Sequence, residues 1–268
     1  MSRKKFEILE EKWNKQYTDF MEKYPNVDFK NISENEKKAF FKRQDFLLRI
    51  CRANSWFGRA KQLRQLKKEN EEERKKDLDS QFIFFWISFN ALYARDPDVF
   101  LENEGDKEPE KFKKYLQKLL KFDNKDHNSH IYKAIENTKA VTKLLENKFV
   151  DPRFWEYYHK NFLKRGETKN WDTEKITKSF NNAKEEPNTL KMLSIVFGRL
   201  YTLRNQIIHG GSAWKVDLNR GQLRDATEIM YKLLPVFINL MLENPEADWG
   251  KSFYPRVGGK PIIYPGDL

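Results

Sequence analysis

The chain has 268 residues, 39% hydrophobic and 15% aromatic, which is enough apolar material for a sizeable core in one large domain or two small ones. Lysine and arginine exceed aspartate and glutamate by 51 to 40, a net charge of +11, so a polyanionic partner such as nucleic acid competes with the simpler reading of a lysine-rich, solvated surface. The lone Cys51 excludes an internal disulfide and a Cys/His zinc framework, no signal-peptide stretch opens the chain, and the longest apolar run is too short to cross a bilayer; the expectation is a soluble, cytoplasmic protein with no membrane contact.

Phe6, Leu9, Trp13, Tyr17, Phe20 and Met21 recur at three- and four-residue steps and predict one amphipathic helix over 1–24. Tyr24-Pro25-Asn26 stops it. Ser33 with Glu36 resembles a capping box opening a second helix, read as running to about residue 76 with Gly58 as the place for a bend. Its middle interleaves Arg43, Arg49, Arg52, Arg59 and Arg64 with Phe46, Trp56 and Phe57. Guanidinium groups grip phosphates and rings stack on bases, which makes Arg49, Arg52 and Arg59 candidate RNA contacts. An amphipathic helix that buries its rings and solvates its arginines is the plainer alternative.

Residues 82–95, FIFFWISFNALYAR, are apolar nearly all round and predict a helix at the domain centre. Asn90 is its interior polar exception: it either bonds to neighbouring backbone or points into a polar site, where it joins the candidate RNA contacts. Residues 96–109 read as a loop. Helices are expected over 111–121, 131–149, 151–164, 172–184, 187–209 and 217–243, the last containing Pro235. Between the first two, His127 and His130 with Asp123 or Asp126 form a weak metal pattern, and no metal or cofactor site is expected. From Asn244 onward the chain is irregular, laid over the helices through Trp249, Phe253 and Tyr254, with a short strand conceivable at 257–264. The fold class is all-α: residues 77–243 as a helical domain with an insertion around 96–185, residues 1–76 as an N-terminal helical extension packed on it, and 244–268 as a tail.

The chemistry concentrates at LYTLRNQIIHGGSAW, residues 200–214. Asn205 and His209 are four apart and share a helix face. Arg204 is five from His209, about 140° around the axis, with a side chain long enough to reach the same cleft rim. Gly210 suits the left-handed position that ends a helix, which would leave His209 in the last turn, where the dipole favours imidazolium. RNA cleavage could use these parts, because the substrate's own 2′-hydroxyl is the nucleophile; it needs a base, an acid and cations for the phosphorane-like charge. One His and one Arg are half of such a set, and two copies about a twofold axis would complete it. A capping His, a salt-bridged Arg and a structural Asn would carry the same residues with no activity.

LRNQIIHGG resembles the Arg-x-x-x-x-His signature of HEPN domains, an α-helical superfamily of often dimeric, metal-independent ribonucleases, and the aromatic-rich helix upstream resembles that of its Apea-like and related branches. The likeness covers roughly residues 81–243. It implies a HEPN-type helical bundle in which His209 transfers protons, Arg204 stabilises the transition state and Asn205 supports them, leaving a 2′,3′-cyclic phosphate. It also implies a homodimer acting on RNA, in toxin–antitoxin pairs or anti-phage defence, with an antitoxin or defence-system partner. Gly211 stands where the branch regulated by a nucleotidyltransferase antitoxin has Tyr, which argues against that form of control. The alternative within the resemblance is a catalytically silent HEPN module that binds RNA or protein as a scaffold.

Overall fold

A computed structural model of the chain describes residues 3–24, 29–65, 77–94, 107–123, 129–161, 171–214 and 217–252. Among them lie ten α-helices and no β-strand: α1 (Arg3–Lys23), α2 (Glu34–Gln65), α3 (Leu78–Tyr93), α4 (Glu108–Phe122), α5 (His130–Ile135), α6 (Lys139–Glu146), α7 (Pro152–Lys160), α8 (Glu174–Glu185), α9 (Thr189–Ile208) and α10 (Arg220–Glu243). The class is all-α. None of these helices is long and apolar enough to cross a membrane.

Helix α3 is the axis of the core. Phe82, Phe85 and Phe89 are fully buried, as an all-round apolar helix requires. Helix α2 runs antiparallel along it, with Ser88 donating to the Ala53 carbonyl. Helix α10 runs parallel on its other side, joined at the start by Arg220 to Asp79 and further along by Phe89 against Phe237. Helix α9 crosses α3 where Phe89 meets Phe197 and Trp86 meets Tyr201. The apolar stripe of α1 adds Leu9, Trp13 and Phe20 to this cluster, and Lys12 and Gln16 tie α1 to the end of α10.

The Ser33–Glu36 capping box forms as the spacing predicts: Glu36 N–H donates to Ser33 Oγ at 3.3 Å while Ser33 N–H donates to the Glu36 carboxylate at 2.8 Å. Helix α2 continues through Gly58 to Gln65; the expected extension to residue 76 lies outside the described residues. Helix α10 likewise continues through the buried Pro235. The single helix expected over 131–149 is instead α5, α6 and a 3-10 turn at Lys148–Val150. Asn and Thr compete with helical backbone bonding, and here Thr138 Oγ1 donates back to the Ala134 carbonyl at the break. Trp249 packs on Tyr115 and Phe122, while Phe253, Tyr254 and 257–264 lie outside the described residues.

Candidate active site

Helix α9 carries the motif into its last turn and stops where the glycines predict. His209 is the residue that closes the helix, its N–H donating to the Asn205 carbonyl at 3.0 Å, and Gly210 N–H donates to the Ile207 carbonyl at 3.1 Å. Gly210 has φ +70°, the left-handed conformation that glycine adopts without penalty. A Cβ on Gly211 would lie 3.1 Å from the Gln206 carbonyl oxygen, so the chain folds tightly back on the last turn. The His209 side chain is exposed.

At about 100° per residue, the open side of α9 runs in order from Arg204 through Ile208, Tyr201, Asn205 and His209 to Gln206. Arg204 is half-buried. Its Nη1 donates to Asn205 Oδ1 at 2.9 Å, its Nε is buried without a partner, and no carboxylate lies within ion-pair reach among the described residues. A guanidinium with an unfilled donor and no ion-pair partner among the described residues is unusual, since buried charge is ordinarily paired. Asn205 orients Arg204 without neutralising it.

The Arg204 margin of this arc faces α3. There the Tyr93 hydroxyl donates to the Glu108 carboxylate. Burial and then that bond push the Tyr93 phenol far above its ordinary range, with the Arg204 charge acting against them. Tyr93 is thus a fixed donor at neutral pH and unsuited to proton transfer. Asn90, on the same side, is half-buried with its Oδ1 unpartnered, and the Trp86 indole N–H is in the same condition. The Asn90 carbonyl oxygen thus makes no bond to neighbouring backbone. Tyr93, Glu108 and Tyr201 were not singled out by sequence; Tyr201 could have been, three residues before Arg204 on the same face.

The other margin, beyond His209, is closed by residues 147–151. Arg199 Nη1 donates to the Asn147 carbonyl at 2.9 Å and Gln206 Nε2 to the Phe149 carbonyl at 2.5 Å. Asp151 caps α7 through Arg153 N–H, as the Asp-Pro start predicts, and also meets Arg199 at 3.5 Å. Burial raises the Asp151 carboxyl, but the hydrogen bonds of Arg153 and the charge of Arg199 outweigh it and hold the group below the usual carboxylate range.

The candidate RNA contacts on α2 divide. Arg49 is 1% exposed and donates to the carbonyls of Ala91, Leu92, Ala94, Gly250 and Lys251. It closes the C-terminal end of α3, where helix carbonyls lack intrahelical donors, and fastens residues 250 and 251 to it. Arg49 is thereby corrected from a nucleic-acid contact to a structural clamp. Arg64 pairs with Glu228 over the Tyr231 ring, and Phe46 and Phe57 are buried. Arg52 is half-buried and Arg59 exposed, both on α2.

Asp123, part of the weak metal pattern, accepts from Ser129 Oγ and from the N–H groups of His130 and Ile131, and so reinforces the Ser129 cap of α5. His130 Nδ1 lies 3.1 Å from the same carboxylate. Asp126 and His127 lie outside the described residues, and among the described residues no three His, Cys, Asp or Glu side chains gather at one point. Comparison of the chain with family models, with curated proteins and with solved structures finds no match.

Proposed function

We propose that the chain is a HEPN-type endoribonuclease that cleaves RNA by attack of the substrate's own 2′-hydroxyl. The observation that carries this reading is Arg204: a half-buried guanidinium with no carboxylate partner among the described residues, held by Asn205 one turn before an exposed His209. A phosphodiester is an anion that such a guanidinium can bind. Arg204 would hold a non-bridging oxygen and stabilise charge that grows in the phosphorane-like transition state, and His209 Nδ1 or Nε2 would take or return a proton. The product would be a 2′,3′-cyclic phosphate. Because the 2′-hydroxyl is the nucleophile, the step needs neither a protein nucleophile nor a metal-activated water.

One copy offers one proton-transfer group, so we infer a homodimer in which two His209 residues divide the acid and base roles. Half-exposed apolar side chains on α3 and α9, among them Ile83, Ile87, Tyr201 and the exposed Ile208, support such a contact. A role as a toxin or in anti-phage defence, with an antitoxin or defence-system partner, follows from the resemblance and belongs to the same proposal.

His209→Ala should lower the cleavage rate on labelled single-stranded RNA by about 10²–10⁴-fold, the span of general acid–base contributions, with the far-ultraviolet helical spectrum unchanged. Undiminished cleavage by the pure, folded variant would remove the reading. Salt-sensitive RNA binding by the wild type with no cleavage would favour the silent scaffold instead.

A further inference from the structure

Six large apolar side chains are exposed among the described residues: Ile8, Phe41, Trp56, Phe149, Ile208 and Trp214. Three of them surround the end of α9. Ile208 is its last residue, Trp214 follows five residues after His209, and Phe149 is bound to Gln206. The backbone of Phe149 is held on both sides. Its N–H donates to Asn147 Oδ1 at 2.9 Å, and its carbonyl accepts from both Gln206 Nε2 and Trp155 Nε1, at 2.5 and 2.7 Å. The backbone is hydrogen-bonded on both sides while the residue stays 44% exposed. The Lys148 ammonium lies 5.3 Å from the ring centroid, and Phe154 braces it edge-on at 5.6 Å.

A rigidly mounted aromatic with a cation above it is the arrangement that stacks an unpaired base and holds its phosphate. Its position fits that use. Gln206, to which the Phe149 carbonyl is bonded, lies about 60° around α9 from His209, so the ring is mounted on the side of the helix next to the candidate proton-transfer group. We propose that Phe149 and Lys148 form a base-stacking subsite for the nucleotide adjoining the cleaved bond, which makes that nucleotide unpaired in the substrate. The proposal rests on the ribonuclease reading for the identity of the ligand, but its binding test does not need cleavage. A base inside a duplex is already stacked on both faces, so the subsite selects single strands without selecting sequence.

The test is fluorescence anisotropy with the full-length chain and a fluorescein-labelled 2′-O-methyl oligoadenylate of about 12 nucleotides, which offers no 2′-hydroxyl for attack. Phe149→Ala should weaken binding about tenfold, the low-to-middle range for losing one base–aromatic stack. Phe149→Trp should keep the affinity, and Lys148→Ala should flatten its salt dependence. A duplex of the same length should bind both Phe149 variants alike. Unchanged affinity in a folded Phe149→Ala protein overturns the subsite, as does an equal loss for duplex. A shift from dimer to monomer in sedimentation, specific to Phe149→Ala, overturns it too by assigning the ring to contact between copies. Failure of the two proposals is separable: binding that depends on Phe149 without any RNA cleavage by the wild type removes the catalytic reading alone, and cleavage independent of Phe149 removes the subsite alone.

Discussion

Helix α9 holds two arginines five residues apart, and their surroundings are opposite. The Arg199 side chain is 2% exposed, lies against Asp151 and donates to the Asn147 carbonyl. Among the described residues Arg204 has Asn205 as its one side-chain partner. The first has its charge met by Asp151; the second is held by a neutral amide. The difference arises from the faces: Arg199 falls about 20° from Gln206, on the side covered by residues 147–151, whereas Arg204 falls on the open side toward α3. A half-buried charge with no counter-ion among the described residues marks a candidate ligand site better than the residue type alone, because desolvation without compensation is a standing cost.

The comparison breaks if the two arginines respond alike to removal. Arg204→Ala should lower kcat/KM for RNA by about 10²–10³-fold, as for loss of one preorganised donor to developing charge. Its melting temperature should stay within about 2 °C of wild type, since no ion pair is lost. Arg199→Ala should do the reverse. It leaves the Asp151 carboxylate buried with a depleted set of partners, a loss of about 3 kcal/mol, or roughly 6 °C in melting temperature for a chain of this size. The surviving folded fraction should cleave normally per molecule. Calorimetry beside single-turnover kinetics reads both, and an Arg204→Ala protein that melts as early as Arg199→Ala would dissolve the distinction.

Acid sharpens the same contrast with a smaller effect. The folded Asp151 carboxyl titrates below its unfolded counterpart, near 3.9. Its contribution to stability is therefore fully present above about pH 4 and lost as pH falls through the lower folded value. Thermal melts from pH 6 to pH 3 should show a steeper acid loss in wild type than in Asp151→Asn, which has no carboxylate to protonate. Identical slopes would mean that the Arg153 and Arg199 contacts do not hold the carboxyl down.

Sequence periodicity made most helices and the centrality of α3 legible, because a helix that is apolar on every side has only one kind of place to sit. The end of α9 was legible too, from Gly210 and the His–Asn spacing. What could not be read were contacts between residues distant in the chain. Arg49 lies among aromatics and other arginines in a pattern that also suits a nucleic-acid surface; only the approach of the α3 terminus and residues 250–251 shows that its donors are committed to carbonyls. Phe149 was hidden for a related reason. It sat at the end of an expected helix, and the break at Thr138 that frees residues 147–151 to dock on α9 depends on a local side-chain bond with no strong sequence signal. Arg204 and Arg199 look equivalent in one dimension, and their roles separate only when Asp151 arrives from 48 residues away.

The smallest expected effects concern the two glycines behind His209, which fail for different reasons. At Gly210 a Cβ would meet nothing within 4 Å, so the obstacle is the backbone alone: φ +70° costs an L-residue about 1 kcal/mol. Asparagine tolerates that conformation, so Gly210→Asn should recover most of the stability lost in Gly210→Ala. At Gly211 the obstacle is the Gln206 carbonyl, 3.1 Å from the added carbon, and asparagine offers no relief. Gly211→Ala must shift the residue whose side chain holds Phe149, so its effect should appear as weaker single-strand binding out of proportion to its change in melting temperature. If Gly211→Ala binds as tightly as wild type, Gln206 and the Phe149 turn are not coupled through the last turn of α9.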